Sequence, residues 1–282
     1  APDTVVLSSP HAPTYGDAFF ISASGRDEGD MGDFGFPRLR QSLENDIPLI
    51  NLISEKASQR HIAVFPDREA NKLDHGSLVP LYFIGKEYKA FRFVRIGLSG
   101  FSAETHYRLG QAVASAVEEL GRRAVYIASG DLSHVLKADG PYGFREAGPE
   151  FDSMITDILG RAAFDGLLAM PASLTKEAAQ CGLSSFQIMA GALDGEEVEA
   201  EKLSYEGTFG VGYGIFRFNP AGKNPGRKFL DMTGRPGKNE NTEENPYIAL
   251  ARKTIEEYIR TGSVAELPKD LPDEMTGRKA AC

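Results

Sequence analysis

Three histidines stand in short runs of small residues beside apolar segments: His11 in S-P-H-A-P, His75 in L-D-H-G and His134 in D-L-S-H. Imidazole is the commonest metal ligand and a base titrating near neutrality, so three that converge would serve metal binding, acid–base work, or both. The glycines and prolines beside them let the backbone approach a ligand closely or fix a turn. The other two, His61 and His106, read as structural, one opening a predicted strand and one in the first turn of a predicted helix. A metal site also wants an anionic ligand. Cys181, at the start of the apolar helix in "CGLSSFQIMAGAL", is one candidate, because the helix dipole there favours a thiolate. Glu206, in "SYEGTFG" near a strand end, is the other.

These residues need elements to hold them. In "VYIASGDLSHVL" (125–136) a β-prone run is stopped by Gly and Asp, and "TVVLSSPHAP" (4–13) repeats the arrangement. In open α/β sheets ligands sit just beyond the carboxyl ends of the strands, so His11 and His134 are expected at one rim, with His75 beside them. Further strands are predicted at 61–66, 91–100, 200–207 and 210–218. Helices are predicted at 39–57, 101–121 (Ser102 as N-cap), 149–170, 173–180 and 182–193. The segment "KLDHGSLVPLYFI" (72–84) is an apolar run punctuated by Pro80. The Gly- and Asp-rich segment 25–37 reads as a solvated loop, with an active-site cover as the alternative. Alternating strands and helices predict an α/β fold with a mixed, mainly parallel central sheet flanked by helices.

At 282 residues, with 41% hydrophobic and 25% charged residues, the chain has the composition of a globular protein with a large core. Its net charge of −9 and lack of a basic stripe argue against nucleic-acid binding. No apolar run is long enough to span a bilayer, and two cysteines make no disulfide framework. A cytoplasmic, non-membrane protein is therefore expected. There is no G-x-S-x-G elbow, no P-loop and no G-x-G-x-x-G between strand and helix, which disfavours hydrolase and nucleotide-binding readings. Residues 219–244 are rich in Pro, Gly and Asn and read as a linker. Residues 245–262 then form one amphipathic helix, the start of a second domain over 245–282. Both ends look cut, so the expectation is a fragment of a longer protein.

S-P-H-A, L-D-H-G-S-L-V-P-L and S-G-D-L-S-H, in this order, resemble class III extradiol ring-cleavage dioxygenases of the LigB type and the related Memo proteins. The resemblance covers 1–218. The segment from 245 resembles the start of an AMMECR-type α+β domain, a fusion found in the AmmeMemoRadiSam system. The resemblance over 1–218 implies a non-haem Fe(II), or another divalent metal, held by two histidines and a third ligand. His11 matches the second histidine, while the first belongs to a motif upstream of Ala1. The third ligand is a glutamate in the dioxygenases and a cysteine in Memo proteins. Cys181 stands at that place, with Glu206 as fallback. His134 matches the acid–base histidine and His75 a second active-site histidine that hydrogen-bonds substrate or oxygen. The implied activity is ring cleavage of a catechol or related small aromatic by O₂. The alternative is a Memo-like metal- or ligand-binding module working with a radical-SAM partner protein, and a homo-oligomer is compatible with either. With the upstream histidine outside 1–282, weak Fe(II) binding and no turnover are expected of this chain, with His11, His75 and His134 still at one rim.

Overall fold

Residues 4–9, Thr-Val-Val-Leu-Ser-Ser, are all buried, which is the pattern of a central strand covered on both faces. In the computed structural model, which describes residues 1–230, this strand, β1 (Thr4–Ser9), lies inside a five-stranded sheet. The order is β5 (Val64–Asp67), β2 (Phe19–Ser22), β6 (Arg92–Gly97), β1, β7 (Ala124–Ala128). β6 and β7 run parallel to β1 and β5 runs parallel to β2, while β2 meets β6 antiparallel. The sheet is mixed and mainly parallel.

Period-two alternation splits β1 between two cores. Val6 faces Leu49, Ile53, Leu109 and Val113, from α1 (Ile47–Ser58) and α3 (Ala103–Glu119). Val5 and Leu7 face Leu78 and Leu81 of α2 (His75–Glu87). A further core gathers α4 (Ala147–Gly160), α5 (Asp165–Leu168), α6 (Ala172–Glu177) and α7 (Leu183–Ala192). The hairpin of β8 (Glu196–Glu206) and β9 (Tyr213–Lys223) packs against it through Val198, Phe216 and Phe218. Among the described residues no helix is long and apolar enough to cross a membrane.

α3 and α7 cross with their backbones in contact. A Cβ on Gly191 would stand 1.8 Å from the Tyr107 carbonyl oxygen, and one on Gly110 would stand 1.9 Å from that of Ile188. Backbone on both sides cannot yield as a side chain can. Gly191→Ala is therefore expected to destabilise the fold at the upper end of the ~1–3 kcal/mol typical of overpacking. The urea midpoint measures it, at unchanged slope. A shift within about 0.5 kcal/mol of wild type, as for a surface substitution, would contradict the crossing.

Several expectations need correction. Segment 25–37 is not a loop: β3 (Arg26–Met31) pairs antiparallel with β4 (Phe36–Glu44), with a 3₁₀ turn at Gly32–Phe34 between them. The predicted helix at 39–57 is accordingly β4 followed by α1, which starts behind the Asp46 cap and Pro48. The inward positions alternate but include Asp27, Gly29 and Gln41, so the hairpin carries no period-two apolar signal in the sequence. β2 was not anticipated. His61 does not open a strand but sits in a left-handed turn (φ 57°) ahead of β5. β9 runs past 218 to Lys223, into the expected linker. The remainder of that linker from 231, and the expected domain at 245–282, lie outside the described residues.

Candidate metal and proton-transfer site

Asp74 ends an extended segment and caps α2: its Oδ1 accepts from the Ser77 N–H at 3.0 Å and from the Ser9 hydroxyl at 2.5 Å. The same carboxylate lies 3.5 Å from Arg95, a buried arginine of β6. Arg95 pairs with buried Asp27 of β3 at 2.9 Å and donates to the carbonyls of Lys72 and Ala70. Strand β1, strand β6 and the hairpin thus all fix the residue that precedes His75.

His75, first in α2, lies against His11, with ring centroids 3.9 Å apart. Gly76 permits this, because a Cβ there would stand 2.6 Å from Ser9 Oγ and 3.2 Å from His11 Cδ2. Burial lowers the pKa of His11, and neighbouring His75 lowers it further, against the opposing pull of Asp74 and Asp131. His134, beyond the β7 end, also lowers it. Pro80 has no N–H to give the Gly76 carbonyl four residues back. The hydroxyl of Ser129, just past β7, donates to it instead at 2.7 Å, tying α2 to the β7 end.

Beyond Ser129 the chain turns at Gly130, where a Cβ would lie 2.4 Å from Gly182 Cα. That close approach brings Cys181 to the turn. The Asp131 N–H donates to Cys181 Sγ at 3.2 Å, and the Asp131 carbonyl accepts from the Cys181 and Gly182 N–H groups. His134 Nε2 stands 3.6 Å from Asp131 Oδ2 and 3.9 Å from Cys181 Sγ. Asp131 and then Cys181 push the His134 pKa up to about 9. The preceding residue is fixed too: the Ser133 N–H donates to buried Asp152 at 2.7 Å, whose other oxygen accepts from the Tyr205 hydroxyl.

The ligand atoms of Asp131, His134 and Cys181 all lie within 4.8 Å of one another. A carboxylate, an imidazole and a thiol make a mixed donor set that fits a borderline divalent ion such as Fe(II) or Zn(II) rather than Mg²⁺ or Ca²⁺. Of the residues singled out from sequence, Cys181 and His134 are in this cluster, and His11 and His75 form the adjoining pair. Glu206 is not brought in: it ends β8 exposed, with a long contact to the Thr208 hydroxyl at 3.5 Å. Sequence reasoning missed Asp131 as a donor. The signal was its spacing, three residues before His134.

His106 is structural. Its Nδ1–H donates to the Ser102 carbonyl at 2.9 Å and its Nε2 accepts from the Ser99 N–H at 3.4 Å. Burial lowers its pKa below 6.5, so the unfolded chain takes up the proton first as the pH falls. That stabilisation is complete above about pH 6.5 and is lost as the pH drops toward the folded-state value. The fall in urea midpoint between pH 7.5 and 5.5 is expected to be smaller in His106→Gln than in wild type. Equal falls would place the titration elsewhere.

The family model described as the catalytic LigB subunit of aromatic ring-opening dioxygenase matches residues 1–216. Protein CA_C1420 of Clostridium acetobutylicum is 36% identical over 292 residues, covering 99% of this chain and 62% of that protein. The MEMO1 family protein MK0963 of Methanopyrus kandleri is 28% identical over 134 residues, covering 47% of this chain and 43% of that protein. The chain thus spans less than two thirds of either relative. The crystal structure of uncharacterized protein JW3007 from Escherichia coli K12 superposes with a TM-score of 0.55 at 19% identity, over 76% of this chain and 86% of that one. That likeness concerns the fold alone.

Proposed function

This chain belongs to the family of the catalytic LigB subunit of aromatic ring-opening dioxygenases, and on that premise we propose that it is an Fe(II)-dependent oxidoreductase that opens a catechol or related small aromatic with O₂. The observation that carries the reading is the cluster of Asp131, His134 and Cys181 beside the His11–His75 pair. Asp131, His134 and Cys181 would hold the metal, which gives His134 the ligand role expected of His11 and leaves His11, in the adjoining pair, for proton transfer. Bound there, iron would supply Lewis-acid activation of an ortho-diol and a path for the diol's own electrons to O₂. The chain's own groups do the rest. One of two imidazoles in contact stays neutral more readily than both stay charged, which leaves His11 suited to accept a phenolic proton. His75, anchored through Asp74, orients the substrate oxygen. Asp152 and Tyr205 hold Ser133, and so His134, in place.

The test supplies the full-length protein that contains this chain, purified anaerobically, with Fe(II), then O₂ and a catechol panel. A yellow ring-fission product with matching oxygen uptake is expected, and its absence with metal bound would sink this reading.

A second reading has its own observation: a thiol, not a second carboxylate, completes the donor set. It supports a Memo-like metal-binding module that works with a radical-SAM partner protein and does not turn over catechols. Stoichiometric metal binding with no oxygen uptake is its expected signature.

A further inference from the structure

Two imidazoles of the site each carry an exposed aromatic ring delivered by a different element. Phe34, in the turn of the β3–β4 hairpin, is 54% exposed, and its ring centroid lies 5.4 Å from that of His75 at 60°. Tyr142 is 61% exposed and stacks on His134 at 5.2 Å and 24°. Neither ring is buried in a core, and each leaves most of its surface in water. Both are nonetheless held. Gly35, at φ 83°, closes the turn behind Phe34. The segment bearing Tyr142 is pinned by the Leu136–Phe144 bridge and by the Leu136 N–H donating to the Gly210 carbonyl. Phe34 also lines an open cleft of about 380 Å³ with His11, His75, Leu78 and Lys72.

We propose that Phe34 and Tyr142 are specificity-determining residues of this site, each an aromatic wall beside one of its imidazoles, and that they favour a flat ring over a saturated ring of the same size. The inference rests on the reading that the site takes a small ring. It adds which residues select it, and that selection acts on the π-face rather than on the diol. Edge and face contacts between aromatic rings contribute beyond area burial, enough for about a 2- to 10-fold effect per wall.

The chain has no tryptophan, so Phe34→Trp and Tyr142→Trp each create a single fluorescent reporter in the full chain. Catechol, phenol and trans-1,2-cyclohexanediol are titrated without oxygen. Catechol and phenol are expected to change the emission of both variants, and cyclohexanediol to leave it unchanged over the same range. By calorimetry, Phe34→Ala and Tyr142→Ala should each weaken phenol binding about 2- to 10-fold. Tyr142→Phe, which keeps the ring, should bind as wild type. Alanine variants that bind phenol like wild type, equal affinity for cyclohexanediol and phenol, or no binding of either aromatic would overturn the proposal. Phenol binding weakened by the alanine variants, without oxygen uptake on catechol, would keep the walls and remove only the ring-opening reading.

Discussion

Cys181→Ala is expected to lower the affinity of the chain for Fe(II) or Zn(II) by more than about 100-fold, above the ~10–100-fold loss that follows removal of an outer-shell partner. The thiol lies 3.9 Å from His134 Nε2 and accepts the Asp131 N–H, so it links the other two donors of the cluster. Without it a carboxylate and an imidazole remain, two donors where protein metal sites commonly use three or four. Anaerobic calorimetric titration measures the effect, and Co(II) substitution adds a sulfur-to-metal absorption band that the variant should lose. Glu206→Gln, at the exposed end of β8, is expected to bind metal as wild type does. Unchanged affinity in Cys181→Ala, or a matching loss in Glu206→Gln, would move the centre away from the cluster.

Arg95→Met should cost about 3–5 kcal/mol of stability, the range for a buried ion pair broken on one side. Arg95 is 1% exposed and its partner Asp27 is 0% exposed. The other oxygen of Asp27 already accepts from Ser22, Ser24 and Asn45. A methionine of similar length keeps the volume but leaves that carboxylate charged and dry, and it frees the carbonyls of Ala70 and Lys72. The double variant Arg95→Met with Asp27→Asn should recover part of the loss, since the uncompensated charge is gone. Urea unfolding of the two variants against wild type reads this directly. A single variant within about 1 kcal/mol of wild type would show that the pair is not closed to water. Because Arg95 also reaches Asp74, the same substitution should loosen the start of α2 and the seat of His75.

Much of this architecture is local chemistry and so is legible in the chain. The Val-Val-Leu run of β1, the Ser102 cap of α3 and the break at Ser-Gly-Asp after β7 each write their element into a few neighbouring residues. The small residues around His11, His75, His134 and Cys181 are likewise legible, because close approach of backbone at strand ends and helix starts needs them. The apolar signal fails where an inward face is built of polar and small residues, as in the β3–β4 hairpin, whose inward positions include Asp27, Gly29 and Gln41. It fails again for Asp27: a residue that looks solvated in an acidic run is dry because Arg95, far along the chain, neutralises it.

The sequence by itself determined the α/β class, the strand ends after which His11 and His134 stand, and Cys181 and Glu206 as candidate anionic donors. Only the tertiary structure decided which donors meet. Asp131 rather than Glu206 joins Cys181 and His134, because the Gly130–Gly182 contact sets the β7 turn against the start of α7, whereas Glu206 ends an exposed strand. His11 meets His75 because Gly76 has no Cβ to hold them apart and Ser9 ties the β1 end to Asp74. Spacing along a chain can nominate ligands. Which of them share a centre depends on contacts between elements that no local pattern encodes.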